Sequence, residues 1–241
     1  MYAWTRAELK KNGRFCMNRS YWKCLLTALI LTISIAGFGY FGGVSSRMDA
    51  GGADFLPWHG LGLSSVFPWS LTAAIAVGAV ALSLIGLAIR IALLQPLEVN
   101  CRRVLIINRV QNPDLSGLGY TFSNGYGNVV KTQFLRYLFT FLWTCLLIVP
   151  GIIKTYEYRM IPFILAENPE IDSKEAFRLS RTMMDGEKWK TFVLDLSFLG
   201  WHILSLFTVG LLDLLYTNPY EACTNTELYT MLKTTKLFPN S

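Results

Sequence analysis

Apolar residues in this chain come in unbroken blocks rather than at the periodicity of a half-buried helix or strand. The first block runs from about Tyr21 to Gly43, the second from Val66 to Leu94, and the third from Phe134 to Pro150–Gly151. A fourth follows at once, from Ile152 to Ala166, and the last apolar region divides near Thr208 into 190–207 and 209–231. Roughly 20 residues of apolar helix cross a hydrocarbon core. The pattern predicts an all-α fold, a polytopic transmembrane bundle of six spans forming a single domain over 21–241 behind a basic amphipathic segment over 1–20.

Two of these boundaries fall inside continuous apolar sequence. If the third block simply left the membrane at Pro150–Gly151, the bases Lys154, Arg159, Lys174, Arg178, Arg181, Lys188 and Lys190 would lie outside, against the positive-inside rule. A hairpin returning at Pro150–Gly151 keeps them inside, but its second leg carries Lys154, Glu157 and Arg159. Each charge costs roughly 2.5–3.5 kcal/mol at the bilayer centre and less near its edges. The returning hairpin is the preferred reading, and four full spans plus a re-entrant 152–166 is the alternative. Spacing supports the hairpin. Phe141–Leu142 stands as far before Pro162–Phe163 as Phe198–Leu199 stands before Pro219–Tyr220, with Pro150–Gly151 and Thr208–Gly210 at similar midpoints. Two copies of helix, break, helix and Pro-aromatic would form an internal repeat of the kind found in many transporter folds.

The polar segments fit that layout. Arg6, Lys10, Lys11, Arg14 and Arg19, with Tyr2, Trp4, Leu9 and Phe15 interleaved, predict an amphipathic segment on the inner surface and not a cleaved leader. The glycine-rich 44–65 is the outer loop, and the glycine-, serine- and tyrosine-rich 116–128 lies inside. Between the hairpins, Asp172 and Glu175 have capping-box spacing and Gly186 stands where a helix would stop, which predicts a surface helix over 173–185. Its apolar face is Ala176, Leu179, Ser180 and Met183.

Composition removes the soluble alternative from the expectation. Hydrophobic residues make up 52% and charged residues 16%, with a mean hydropathy of +0.37; globular chains carry about 25% charge. The net charge of +6 sits beside the apolar blocks, so its expected partners are anionic headgroups and not nucleic acid. Cys16, Cys24, Cys101, Cys145 and Cys223 are an odd, scattered set that makes neither a disulfide framework nor a zinc motif.

A set of motifs then accumulates. It comprises Leu142-Trp143, Leu146 through Lys154 with Tyr156 and Tyr158, Pro162, Leu165-Ala166-Glu167 with Pro169, and Glu175-Ala176 followed by Ser180 and Met183-Met184. It continues with Gly186, Leu196 through Trp201, Thr208 with Gly210, Pro219-Tyr220 and Tyr229. Over roughly 130–232 the chain resembles an uncharacterised integral-membrane family of Gram-positive bacteria, catalogued as domain of unknown function 975; the N-terminal half resembles it only in layout. The resemblance implies a multi-span membrane protein and brings no activity, substrate, cofactor or catalytic residue.

Ionisable residues inside apolar runs are the functional candidates. Arg90, Lys154, Glu157, Arg159, Asp195 and Asp213 form the expected buried charge cluster, with Lys154 and Glu157 one turn apart and Arg159 seeking Asp195 or Asp213. Pro150, Gly151, Thr208 and Gly210 are the helix-break positions. His202 stands mid-span, and with His59 the only other histidine it predicts a hydrogen-bonded side chain and not a metal ligand. Gly117-Leu118-Gly119 lacks the third glycine and the strand of a dinucleotide fingerprint, and no nucleophile–base motif occurs. The expectation is therefore a non-enzymatic factor of the bacterial plasma membrane, both termini cytoplasmic, without metal or cofactor. It would bind lipids or membrane proteins, a homo-oligomer included. A small-molecule or ion carrier is the alternative, separated from the first by whether the charges line a cavity or a closed core.

Overall fold

The computed structural model describes residues 4–36, 77–78, 81, 86, 88–111 and 114–238, and every regular element among them is helical. α1 (Arg6–Arg19) starts at Thr5, whose hydroxyl accepts the Glu8 backbone N–H, and buries Leu9, Gly13, Cys16 and Met17. α2 (Tyr21–Ala36) follows. A π turn over Arg90–Leu94 leads into α3 (Gln95–Val110), and α4 (Tyr120–Ser123) precedes the long α5 (Tyr126–Leu146). Next come α6 (Ile148–Glu157), α7 (Ile161–Glu167), α8 (Ser173–Met184) and α9 (Lys188–Phe207). A second π turn, Asp213–Thr217, leads into α10 (Asn218–Leu237). The expected surface helix is α8. Asp172 caps it by accepting from the Lys174 N–H, while Glu175 pairs with Arg178 instead of closing a capping box. Gly186 follows it at φ +74°, the left-handed conformation that glycine adopts without strain.

These helices build two storeys. The base is α1, α3, α7, α8 and the adjoining parts of α2, α9 and α10, packed around Leu9, Leu105, Met160, Phe163, Met183, Leu194 and Tyr229. A second cluster, with Val99, Val129, Ile161, Leu165 and Phe177, joins α3, α5, α7 and α8. Above the base stand two helical hairpins, α5–α6 and α9 with the chain returning into α10. Their ends are apolar and uncovered: Leu146, Leu147, Ile148 and Val149 on one, Leu206, Phe207, Val209 and Leu211 on the other. Val209 is 97% exposed and Phe207 83%, where a water-facing surface would carry polar side chains.

Among the described residues one helix, Lys188–Phe207, is long and apolar enough to cross a membrane; Tyr21–Ser34 is apolar but shorter. Among the described residues these lengths do not establish six full spans. α6 has 10 residues, or about 15 Å at 1.5 Å per residue, against a hydrocarbon core of about 30 Å. The start of α9 belongs to the base, because Lys10 of α1 donates to the Ser197 carbonyl and lies over the Phe198 ring. What stands clear of it, 199–207, measures about 14 Å. The second expected span, 66–94, lies outside the described residues except at 77–78, 81, 86 and 88–94.

The helix breaks also differ from expectation. The first hairpin turns at Leu147, whose backbone is extended (φ −157°, ψ 139°), and not at Pro150–Gly151. Pro150 lies in the first turn of α6, where its missing N–H would have had no intrahelical partner. Gly151 serves packing: a Cβ there would fall 2.7 Å from Thr144 Cα on α5. The second hairpin does turn at Thr208–Gly210, through Val209 (φ +52°) and Gly210 (φ +81°). The two hairpins therefore turn at unmatched positions of the proposed repeat. A different likeness exists at Pro96 and Pro219. A proline interrupts the bond to the carbonyl four residues earlier, and both prolines follow a π turn. The carbonyls so affected, those of Ala92 and Leu215, each accept a tyrosine hydroxyl from another helix, Tyr126 and Tyr21, at 2.8 Å.

Candidate functional site

Where the hairpins meet the base, α2, α3, α5, α6, α9 and α10 enclose a cavity of about 640 Å³. Its charged lining is Glu98 and Arg102 from α3, Arg136 from α5, Arg159, Asp195 from α9 and Glu221 from α10. Glu98 is buried at one wall. Arg102, one turn on, reaches its Oε1 at 3.1 Å; Arg136 reaches Oε2 at 3.3 Å, and the Tyr137 hydroxyl donates to the same oxygen at 3.2 Å. Burial alone would raise the Glu98 pKa, but Arg136 and Arg102 outweigh it and hold the carboxyl below its ordinary range. On the other side Arg159 grips Asp195 through both terminal nitrogens, at 2.5 and 2.8 Å, and donates to Asn225 Oδ1 at 2.9 Å. The Tyr156 hydroxyl also donates to Asp195, at 2.9 Å.

The six residues expected to cluster thus divide into separate groups. Arg159 and Asp195 form the cavity pair. Lys154 and Glu157 do pair, at 2.8 Å, but on the flank of the base, where Lys188 (2.9 Å) and Arg181 (3.2 Å) join the same carboxylate. Asp213 goes to His202, whose Nδ1 lies 3.0 Å away, while His202 Nε2 faces Glu221 at 3.5 Å. The Arg90 guanidinium lies over the Tyr137 ring at 5.9 Å.

Glu98, Arg102, Arg136 and Glu221 are site residues that sequence reasoning missed. Signals existed: Glu98 and Arg102 have the i,i+4 spacing of a helical ion pair, and Arg136 is an ionisable residue inside an apolar block. Glu221 carried no local signal. The cysteines, scattered in sequence and all free, partly converge in space. Cys223 Sγ lies 3.7 Å from Cys24 Sγ, and Asn108 Nδ2 donates to Cys16 Sγ at 3.3 Å and to Cys24 Sγ at 3.2 Å. Among the described residues no group of His, Cys, Asp and Glu is placed to hold a metal ion. Cys101 is separate from these thiols; burial pushes its pKa up to about 12 and keeps it protonated.

A family model described as "Protein of unknown function (DUF975)" matches residues 121–236. No curated protein and no solved structure matches the chain. The matched stretch includes both hairpins, α8 and four of the charged cavity residues, Arg136, Arg159, Asp195 and Glu221; Glu98 and Arg102 precede it.

Proposed function

We propose that this chain, whose residues 121–236 match the family described as "Protein of unknown function (DUF975)", is an integral protein of the bacterial plasma membrane, a non-catalytic binding factor whose charged cavity is its ligand seat. The carrying observation is the uncovered apolar end of both hairpins. Apolar surface of that extent needs lipid or a partner to cover it. The base faces the cytoplasm, because it bears the bases of α1 and α8 together with Lys188 and Lys190. The hairpins enter the bilayer about half-way, with the cavity just beneath them.

The non-catalytic reading is supported by His202, whose two ring nitrogens face the carboxylates of Asp213 and Glu221 and not a hydroxyl or thiol. A carrier is the second reading, favoured by the charges lining a cavity instead of a closed core. Cys145 tests the membrane placement because it is exposed on α5 within the apolar hairpin. In native membranes a lipophilic maleimide should modify Cys145, and a charged, impermeant one should not, while the chain resists carbonate extraction. Extraction by carbonate, or ready labelling of Cys145 by the charged reagent, would refute the placement.

A further inference from the structure

The cavity has two poles of opposite sign. At the wall formed by α3 and α5, two arginines share the single carboxylate of Glu98, leaving one uncompensated positive charge. Arg102 reaches Glu98 through Nε and Nη2, and Arg136 through Nη2. At the α10 wall Glu221 has no lysine or arginine within ion-pair distance among the described residues, only His202. Between the poles, Arg159 and Asp195 neutralise each other. Buried charge is tolerated when it is paired; the arginine pole carries one charge in excess, and Glu221, partly exposed, is met by His202 alone among ion-pair partners of the described residues.

We propose that this cavity takes a zwitterionic ligand carrying an anionic phosphate or carboxylate and a primary ammonium, the anion on Arg102 and Arg136 and the ammonium on Glu221. The inference rests on reading the cavity as the ligand seat. A primary ammonium fits better than a quaternary one because the carboxylate pole needs N–H donors. The aromatic faces that would hold a quaternary group are also taken. Arg136 lies over Tyr137 at 4.5 Å, Arg159 over Tyr156 at 5.6 Å, and Lys154 and Arg181 over Tyr158 at 5.7 Å. The cavity's volume suits a small ligand or a lipid headgroup. Ala28, Leu31 and Ile152 add apolar lining beside the charges.

The test uses the full chain in phosphatidylglycerol nanodiscs. Phosphatidylethanolamine, phosphatidylcholine, soluble phosphoethanolamine or glycine is added in turn, and the melting temperature is followed together with ligand retention by native mass spectrometry. A primary-amine zwitterion should raise the melting temperature by about 5–10 °C at a hundredfold excess over Kd, and phosphatidylcholine should not. Glu221→Gln and Arg136→Gln should each abolish the rise and the retained ligand. A rise with phosphatidylethanolamine alone identifies a lipid headgroup; a rise with a soluble compound identifies a solute. Equal rises with phosphatidylcholine, rises that survive both substitutions, or no rise at all overturn the proposal. A chain that resists carbonate extraction yet shows no rise refutes the ligand while leaving the membrane placement standing; a chain that carbonate releases refutes the placement itself.

Discussion

Arg159 shows what a single side chain does here. Its guanidinium satisfies Asp195 through both terminal nitrogens and reaches Asn225 as well, so one residue ties the segment after α6 to α9 and α10. Removing one partner of such a pair leaves an uncompensated charge and costs about 3–5 kcal/mol, whereas replacing both with apolar groups is far milder. Arg159→Met and Asp195→Leu should each lower the unfolding free energy by about that much, with the double variant better folded than either, as read from melting in detergent. A double variant no better than the single ones contradicts the pairing. Glu98 adds a pH dependence. Its folded pKa lies below the unfolded value of about 4.3, so its contribution is complete above that value and fades as pH falls through the folded one. Between pH 7 and pH 3 the wild type should lose stability more steeply than Glu98→Gln, and parallel melting curves would contradict this. At this scale the sequence placed charges in apolar runs but could not choose their partners. Asp195 and Asp213 were both candidates for Arg159, and only the packing of α9 against α6 separates them.

Among the elements, α8 was legible almost to the residue because its signals are local: Asp172 before it, Gly186 after it and a narrow apolar face between. The α5–α6 hairpin was legible as a return, through the charge balance that an outward exit would violate. Its turn was not legible, since Pro150–Gly151 looks like a break yet proline is at home in a helix's first turn. The glycine beside it marks instead where α6 lies against α5. Gly151→Ala would press a methyl into the Thr144 backbone, and overpacking of that kind costs typically about 1–3 kcal/mol. Gly200, inside α9, is the control, because a methyl added there would meet nothing within 4 Å. Gly200→Ala should be neutral or gain about 0.5–1 kcal/mol from helix propensity. Thermal melting of both variants decides the matter, and equal tolerance would contradict the close approach.

Among the described residues the molecule has an asymmetric section: a base with its own packed core, and hairpins whose outer ends are exposed. Hydropathy blocks were enough to find the apolar segments and the all-helical class. They could not reveal depth, because depth depends on where the base ends. Ser197 and Phe198 belong to a helix long and apolar enough to cross a membrane, yet α1 lies beside them. The cavity was illegible for a related reason, being built from residues as far apart in sequence as Ala28, Glu98, Arg136 and Glu221. The half-depth hairpin is therefore the central claim. Nitroxide labels introduced one at a time at Val149 and Val209, in a Cys145→Ser background in reconstituted bilayers, measure it directly through relative accessibility to oxygen and to a water-soluble nickel complex. Both labels should report similar depths near the bilayer centre, oxygen-rich and shielded from nickel on either side. Labels that meet nickel supplied on the outer side, or that lie in water on the base side, would contradict it.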